Sequence, residues 1–161
     1  DHGMAVMAAR EGLKPGASLV SDSGPVHRLV QSIAHLAPQI RFMRDPTRGG
    51  AAATLNEIVE GRPLGIVLEQ SKLPFLPSAR GLAEVLGLDL LHVASEGRVL
   101  LVCDAAVADE VVSVWRDFPE GKGAAIIGRV SRDTGRVLLE TGFGGRRLVD
   151  VPQGELLPRI C

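Results

Sequence analysis

The sequence predicts an α+β domain, a mixed β-sheet with helices mainly on one face. Three observations predict it. Apolar residues recur at helical spacing in several segments, and short runs rich in branched side chains have the length of buried strands. The last third of the chain is dominated by strand-like stretches and glycine-bearing turns. With 161 residues, 45% of them hydrophobic and 23% charged, the chain has the size and composition of one folded domain.

Residues 4–13 carry helix formers with Gly12 as a stop, and Lys14-Pro15-Gly16 makes a turn. Ser21, Asp22 and Ser23 offer N-cap oxygens to a second helix. Its Val26, Leu29, Val30 and Ile33 share one face, and it ends near Pro38. Arg41-Phe42-Met43-Arg44 reads as a strand or ordered loop, and Asp45, preceding a proline, is biased away from helical geometry. From Gly50 the run AAATLNEIVEG continues as a helix to Gly61, and residues 63–69 read as a buried strand. Pro74 and Pro77 frame a loop before a helix capped by Ser78 and stopped at Gly87. Residues 99–103 suggest a central strand, and Ala105 to Phe118 a helix with Val107, Val111, Val114 and Phe118 along one face. AAIIGRVS and RVLLET, joined by Arg132-Asp133-Thr134-Gly135, suggest a hairpin, and Arg146 to Val151 a further strand. Residues 152–161 (PQGELLPRIC) have two prolines and no periodicity and read as a tail.

Charge narrows the function classes. Eighteen basic against 19 acidic side chains give no basic footprint for nucleic acid or an anionic membrane surface. Aromatic residues, at 3%, are too few for base-stacking platforms, so proteins and small molecules are the expected partners. No segment has the apolar length of a membrane span, and Asp1-His2-Gly3 lacks the features of a signal peptide. Cys103 and Cys161 have no neighbours that would complete a zinc or disulfide framework, which fits a reducing cytoplasm. A start at Asp1, on a loop entering a helix, suggests a fragment of something longer.

Three places carry residues suited to chemistry. In Asp45-Pro46-Thr47-Arg48-Gly49-Gly50 a cap-capable Thr47 and two glycines precede a helix, whose first N–H groups attract anions. Arg48 suits phosphate oxygens, and Asp45 suits a metal or a loop-orienting role; a capped turn with no ligand explains the same pattern. In Ser95-Glu96-Gly97-Arg98, Glu96 is a general base if partly buried, or half of a solvated ion pair on an exposed turn. Cys161 carries its own α-carboxylate, which raises the thiol pKa, so Arg159 or a receiving site must favour the thiolate; a last residue without a role is the plain alternative. Cys103 reads as a small buried hydrophobe. His27, His35 and His92 have no metal-ligand spacing and read as structural or surface residues, and His2 stands at the broken edge of the chain.

Asp1-His2-Gly3 is similar to the end of a Gly-Asp-His-Gly segment, Asp45 to Gly50 matches a DPTRGG signature, and Asn56-Glu57 falls in the helix that follows. With the more specific Pro158-Arg159-Ile160-Cys161, these segments resemble the HypE family of hydrogenase maturation factors. That family belongs to the superfamily of aminoimidazole ribonucleotide synthetase (PurM), selenophosphate synthetase and thiamine-phosphate kinase. The resemblance implies a PurM C-terminal-domain-like fold over residues 1–151 and a flexible tail, 152–161, ending in the reactive Cys161. It implies that the carbamoyltransferase HypF loads a carbamoyl group on Cys161 and that ATP with Mg²⁺ drives its dehydration to a thiocyanate. The cyano group then passes to the iron of a NiFe hydrogenase through a HypC–HypD assembly complex.

On that resemblance Cys161 and Glu96 are catalytic, and His2, Asp45, Thr47, Arg48, Gly49 and Gly50 contribute to the nucleotide site. No metal ligand is assigned. Arg98 and Ser95 stand where the family often has Lys and Asn. The N-terminal domain that in the family supplies most of the ATP site and the homodimer interface is absent, so the isolated chain is expected to be inactive. A carrier module presenting a modifiable Cys, or another ATP-dependent enzyme of the superfamily, are the alternatives; the second does not require the terminal Pro-Arg-Ile-Cys.

Overall fold

Ile66, Val67 and Leu68 are 4, 3 and 1% exposed, so the strand that holds them is covered on both faces and belongs inside a sheet. A computed structural model, which describes residues 1–13, 19–132 and 135–151, places it there. In chain order the elements are α1 (His2–Arg10), α2 (His27–Ser32), β1 (Ile40–Arg44), α3 (Gly50–Val59), β2 (Gly65–Glu69), α4 (Pro77–Leu86), β3 (Leu100–Cys103), α5 (Ala105–Arg116), β4 (Gly128–Ser131), β5 (Val137–Glu140) and β6 (Arg146–Leu148). Short 3-10 turns lie at Ala34–Gln39, Gln70–Lys72, Leu90–His92 and Pro119–Gly121.

The sheet runs β4-β2-β5-β6 and is mixed, with β2 antiparallel to β4, parallel to β5, and β5 antiparallel to β6. Residues 124–131 and 136–141 therefore do not form the hairpin their intervening turn suggested. β2 lies between them and pairs with both, which suits a strand buried throughout, whereas Arg129 and Val130 of β4 are exposed and suit an edge. Turn chemistry marks where a chain reverses but not which strand it meets. The hairpin is β5–β6, closed by Thr141 to Gly145, where the Thr141 N–H donates to the Gly145 carbonyl at 2.8 Å.

α3 covers one face of this sheet. Its Ala52, Leu55, Ile58 and Val59 pack with Ile66, Leu68, Val137, Leu139 and Val149 in the main core. β1 and β3 form a separate antiparallel pair, so residues 99–103 are not the central strand of the sheet. Alternation explains its place. Phe42 and Val102 face the main core, while Met43 and Leu101 face a second core with Leu29, Ile33, Val111 and Trp115, so the two-stranded ladder lies between two apolar layers. The Trp115 indole N–H donates to the Leu29 carbonyl at 2.9 Å and ties α5 to α2. A third core joins Met4 and Ala8 of α1 to Ala79 and Ala83 of α4.

Helix ends depart from the expected caps. Ser21, Asp22 and Ser23 do not cap α2, which starts only at His27, and Val30 on its expected buried face is 40% exposed. Ser78 is inside α4, where Pro77 fills the first helical position and Leu76 precedes it; Gly87 stops the helix at φ 67°. No helix among the described residues is long and apolar enough to cross a membrane.

Candidate active site

The backbone of residues 91–95 is the spine on which the site is built. On one side the Gly3 N–H, in the first turn of α1, donates to the Ala94 carbonyl at 3.1 Å. On the other, the Ser95 N–H donates to the Pro46 carbonyl at 3.1 Å. Gly50 lies against the same segment: a Cβ there would stand 2.6 Å from the carbonyl oxygens of Leu91 and Val93. Three segments read separately from the sequence, around His2, Asp45–Gly50 and Ser95–Arg98, are thereby side by side.

The Asp45–Gly50 turn holds its glycines in the left-handed region, Gly49 at φ 67° and Gly50 at φ 62°. Gly49 occupies the N-cap position of α3, and no side chain caps the helix, so Thr47 does not play the capping part its type allowed. No described side chain hydrogen-bonds the first N–H groups of α3, and that of Gly50 donates to the Thr47 carbonyl at 3.4 Å. Asp45 and Arg48 are exposed, and neither makes a side-chain hydrogen bond or ion pair with another described residue. Arg48 and the backbone N–H groups are donors that fit phosphate oxygens, whereas the Asp45 carboxylate does not.

The Ser95–Arg98 turn is not a self-contained ion pair. Arg98 turns away from Glu96 and bridges two other acids, with Nε donating to Asp22 Oδ2 and Nη2 to Asp1 Oδ2, both at 2.6 Å. Asp22 Oδ1 also accepts from the His2 N–H at 2.7 Å. Gly97 lets the backbones meet, since a Cβ on it would lie 1.6 Å from the Asp22 carbonyl oxygen. Burial alone would push the Asp22 carboxyl up. In the 161-residue chain, the Asp1 α-amino group 3.6 Å away, the Arg98 guanidinium and the His2 N–H outweigh it and hold the group below its ordinary value. Glu96 is left half-buried, with no hydrogen-bond partner among the described residues.

The His2 ring lies 2.8 Å through Nδ1 from Ser21 Oγ, while its Nε2 is buried and has no partner among the described residues. Such an atom awaits a polar ligand group or water. Asp1, Ser21 and Asp22 are the site residues that sequence reasoning missed. Their signal was faint: Asp22 lies five residues ahead of α2, too far to cap it, and its arginine partner is 76 residues away. Cys161 lies outside the described residues. Among them no group of three or more His, Cys, Asp or Glu side chains is arranged to hold a metal ion, so no residue is assigned to Mg²⁺.

An α+β fold of this kind meets its counterpart in a known domain. The family model described as AIR synthase related protein, C-terminal domain, matches residues 1–139, and the chain belongs to that family. Within it, the chain is similar over its whole length to the carbamoyl dehydratase HypE of Cupriavidus necator, 45% identical over 163 residues. A solved hydrogenase maturation protein HypE in complex with ATP superposes with a TM-score of 0.91 at 36% identity, over 100% of this chain and 50% of that one. A HypE–HypF complex superposes with a TM-score of 0.89 at 39% identity, over 94% and 50%. The chain covers 46% of the Cupriavidus protein and so spans about half the length of the relatives it matches.

Proposed function

We propose that residues 1–151 are the C-terminal domain, and 152–161 the reactive tail, of an ATP-dependent carbamoyl dehydratase that makes the cyanide ligands of a NiFe-hydrogenase iron. The observation that carries this reading is the convergence of the His2, Asp45–Gly50 and Ser95–Arg98 segments on one spine, with Glu96, Asp45 and Arg48 unengaged by described neighbours. The match to HypE relatives runs through the whole chain, whereas the broader family model stops at residue 139. That favours a HypE-type enzyme over other branches of the superfamily.

The chemistry follows from the residue types. A carbamoyl group on Cys161 Sγ has an amide-like oxygen, a poor leaving group. Bound ATP supplies the phosphoryl group that converts that oxygen into phosphate. Arg48 and the first N–H groups of α3 offset the phosphate charge, Gly49 and Gly50 let the backbone come close, and Asp45 and Thr47 orient the turn. The buried His2 Nε2 supplies a further polar contact. Phosphorylation of the oxygen with loss of one N–H proton would leave an imidate phosphate, and Glu96 accepts the remaining nitrogen proton as the C–O bond breaks, inorganic phosphate leaves and the nitrile forms. The missing half of the protein provides most of the nucleotide site, the Mg²⁺ ligands and the homodimer contact.

A carbamoyltransferase of the HypF type loads Cys161, consistent with the solved complex of HypE with HypF. A HypC–HypD complex receives the cyano group, and a reducing cytoplasm suits the thiol. The test is intact mass of the full-length parent after incubation with the carbamoyltransferase, carbamoyl phosphate and ATP. Expected are a carbamoyl adduct, lost in Cys161→Ala but kept in Cys103→Ala, and its ATP-dependent loss of water, abolished in Glu96→Gln. The isolated 161-residue chain performs no ATP-dependent turnover. An adduct that persists in Cys161→Ala, or turnover by the isolated chain, refutes the reading.

A further inference from the structure

From Val20 to Pro25 the chain has neither helix nor strand and is exposed, with one exception: Asp22 turns inward, its side chain 18% exposed. Drawing a carboxylate out of water costs free energy, and an ion pair formed there is seldom more stabilising than a packed apolar side chain in its place. Stability alone therefore gives no reason for an acid at this position. Its contacts give one. Asp22 Oδ1 accepts from the His2 N–H at 2.7 Å and Oδ2 from Arg98 Nε at 2.6 Å, so one carboxylate joins the start of α1 to the Ser95–Arg98 turn.

Glu96 lies between two anchors of that turn. Before it, the Ser95 N–H donates to the Pro46 carbonyl at 3.1 Å and ties the chain to the Asp45–Gly50 turn. After it, Gly97 packs against the Asp22 carbonyl, and Arg98 is held by Asp22 and Asp1. The Glu96 carboxylate makes no hydrogen bond or ion pair with another described residue, so its place is set by the backbone that carries it. The first anchor is backbone to backbone and asks for no particular side chain. The second depends on an acid and an arginine 76 residues apart.

We propose that Asp22 is a positioning residue that acts through Arg98 to hold Glu96 at a fixed place beside the Asp45–Gly50 turn. This rests on the dehydratase reading for what Glu96 does there, but not for where it is held. Asp22→Asn is isosteric: its amide oxygen keeps the His2 N–H, but its NH₂ then meets the Arg98 donor and the strut is broken. In the full-length parent, with Cys103, Cys161 and any other cysteine replaced by Ala, a nitroxide on Glu96→Cys should gain a mobile component when Asp22→Asn is added. A nitroxide on Val85→Cys, on the exposed side of α4, should not. In the parent with its cysteines intact, Asp22→Asn should slow ATP-dependent dehydration of a preloaded carbamoyl adduct by about tenfold to a hundredfold, the cost of misplacing a reacting group by roughly 1 Å. The KM for ATP and the rate of carbamoyl loading should be unchanged. Arg98→Ala should act alike, and Arg98→Lys, which keeps a charged donor, should recover part of the loss. A Glu96 nitroxide no more mobile in Asp22→Asn, or a loss of rate that merely follows the KM for ATP, overturns the proposal. Dehydration that survives in Glu96→Gln instead removes the proposed role of Glu96, and the nitroxide alone then decides whether Asp22 holds that residue in place.

Discussion

Arg98→Ala tests the acid–arginine cluster most directly. The guanidinium joins two carboxylates whose side chains are only 8% (Asp1) and 18% (Asp22) exposed, while Arg98 itself is 36% exposed. A hydrogen bond to a charged group contributes about 1.5–3 kcal/mol, and a buried carboxylate stripped of its partner keeps its desolvation cost. Water reaching the half-exposed arginine replaces part of each contact, so the net loss should be about 2–3 kcal/mol rather than the sum of two full bonds. In urea unfolding of the 161-residue chain at neutral pH, with a slope of about 2 kcal/mol/M, the midpoint should fall by about 1–1.5 M. Arg98→Lys retains the charge but cannot reach both acids as a planar fork, and should lose about half as much. A cycle with Asp22→Asn should give a coupling above about 1 kcal/mol, since the two groups touch. A midpoint shift under about 0.2 M in Arg98→Ala, or a coupling near zero, would refute the reasoning.

Two further outcomes follow from the same cluster and its spine. Gly97→Ala drives a Cβ into the Asp22 carbonyl and Gly50→Ala adds a left-handed strain to a 2.6 Å clash, so each should cost at least about 3 kcal/mol in thermal or urea unfolding; Gly142→Ala, which meets open space, should stay within about 0.5 kcal/mol. As Asp22 is held below its unfolded pKa, its contribution is present above about pH 4 and fades as pH falls through the lowered folded value. The gap between wild type and Asp22→Asn should then be widest at pH 5–7 and shrink toward pH 3, and a gap that is constant across this range contradicts the assignment.

What the sequence disclosed and what it hid divide along the range of the interaction involved. Helical spacing located α5 because amphipathic periodicity is written in neighbours three and four apart, helix formers ahead of glycine stops marked α3 and α4, and the Asp45–Gly50 turn was legible from its two glycines before a helix. Partnership was not legible. The hairpin expected between residues 124–131 and 136–141 failed because β2, about sixty residues earlier and buried throughout at Ile66, Val67 and Leu68, pairs with both and stands between them, a long-range partnership that no local pattern encodes. Likewise an acid before a helix reads as a cap until Arg98, 76 residues on, takes it for an ion pair. This misreading bears on function, for a Glu96–Arg98 pair would have neutralised the acid proposed as the base. With Arg98 turned to Asp1 and Asp22, the turn is anchored through its arginine and its glutamate is left unpaired among the described residues. On the proposed reading, dividing anchoring and proton acceptance between neighbouring residues of one turn leaves the Glu96 carboxylate available to a substrate proton.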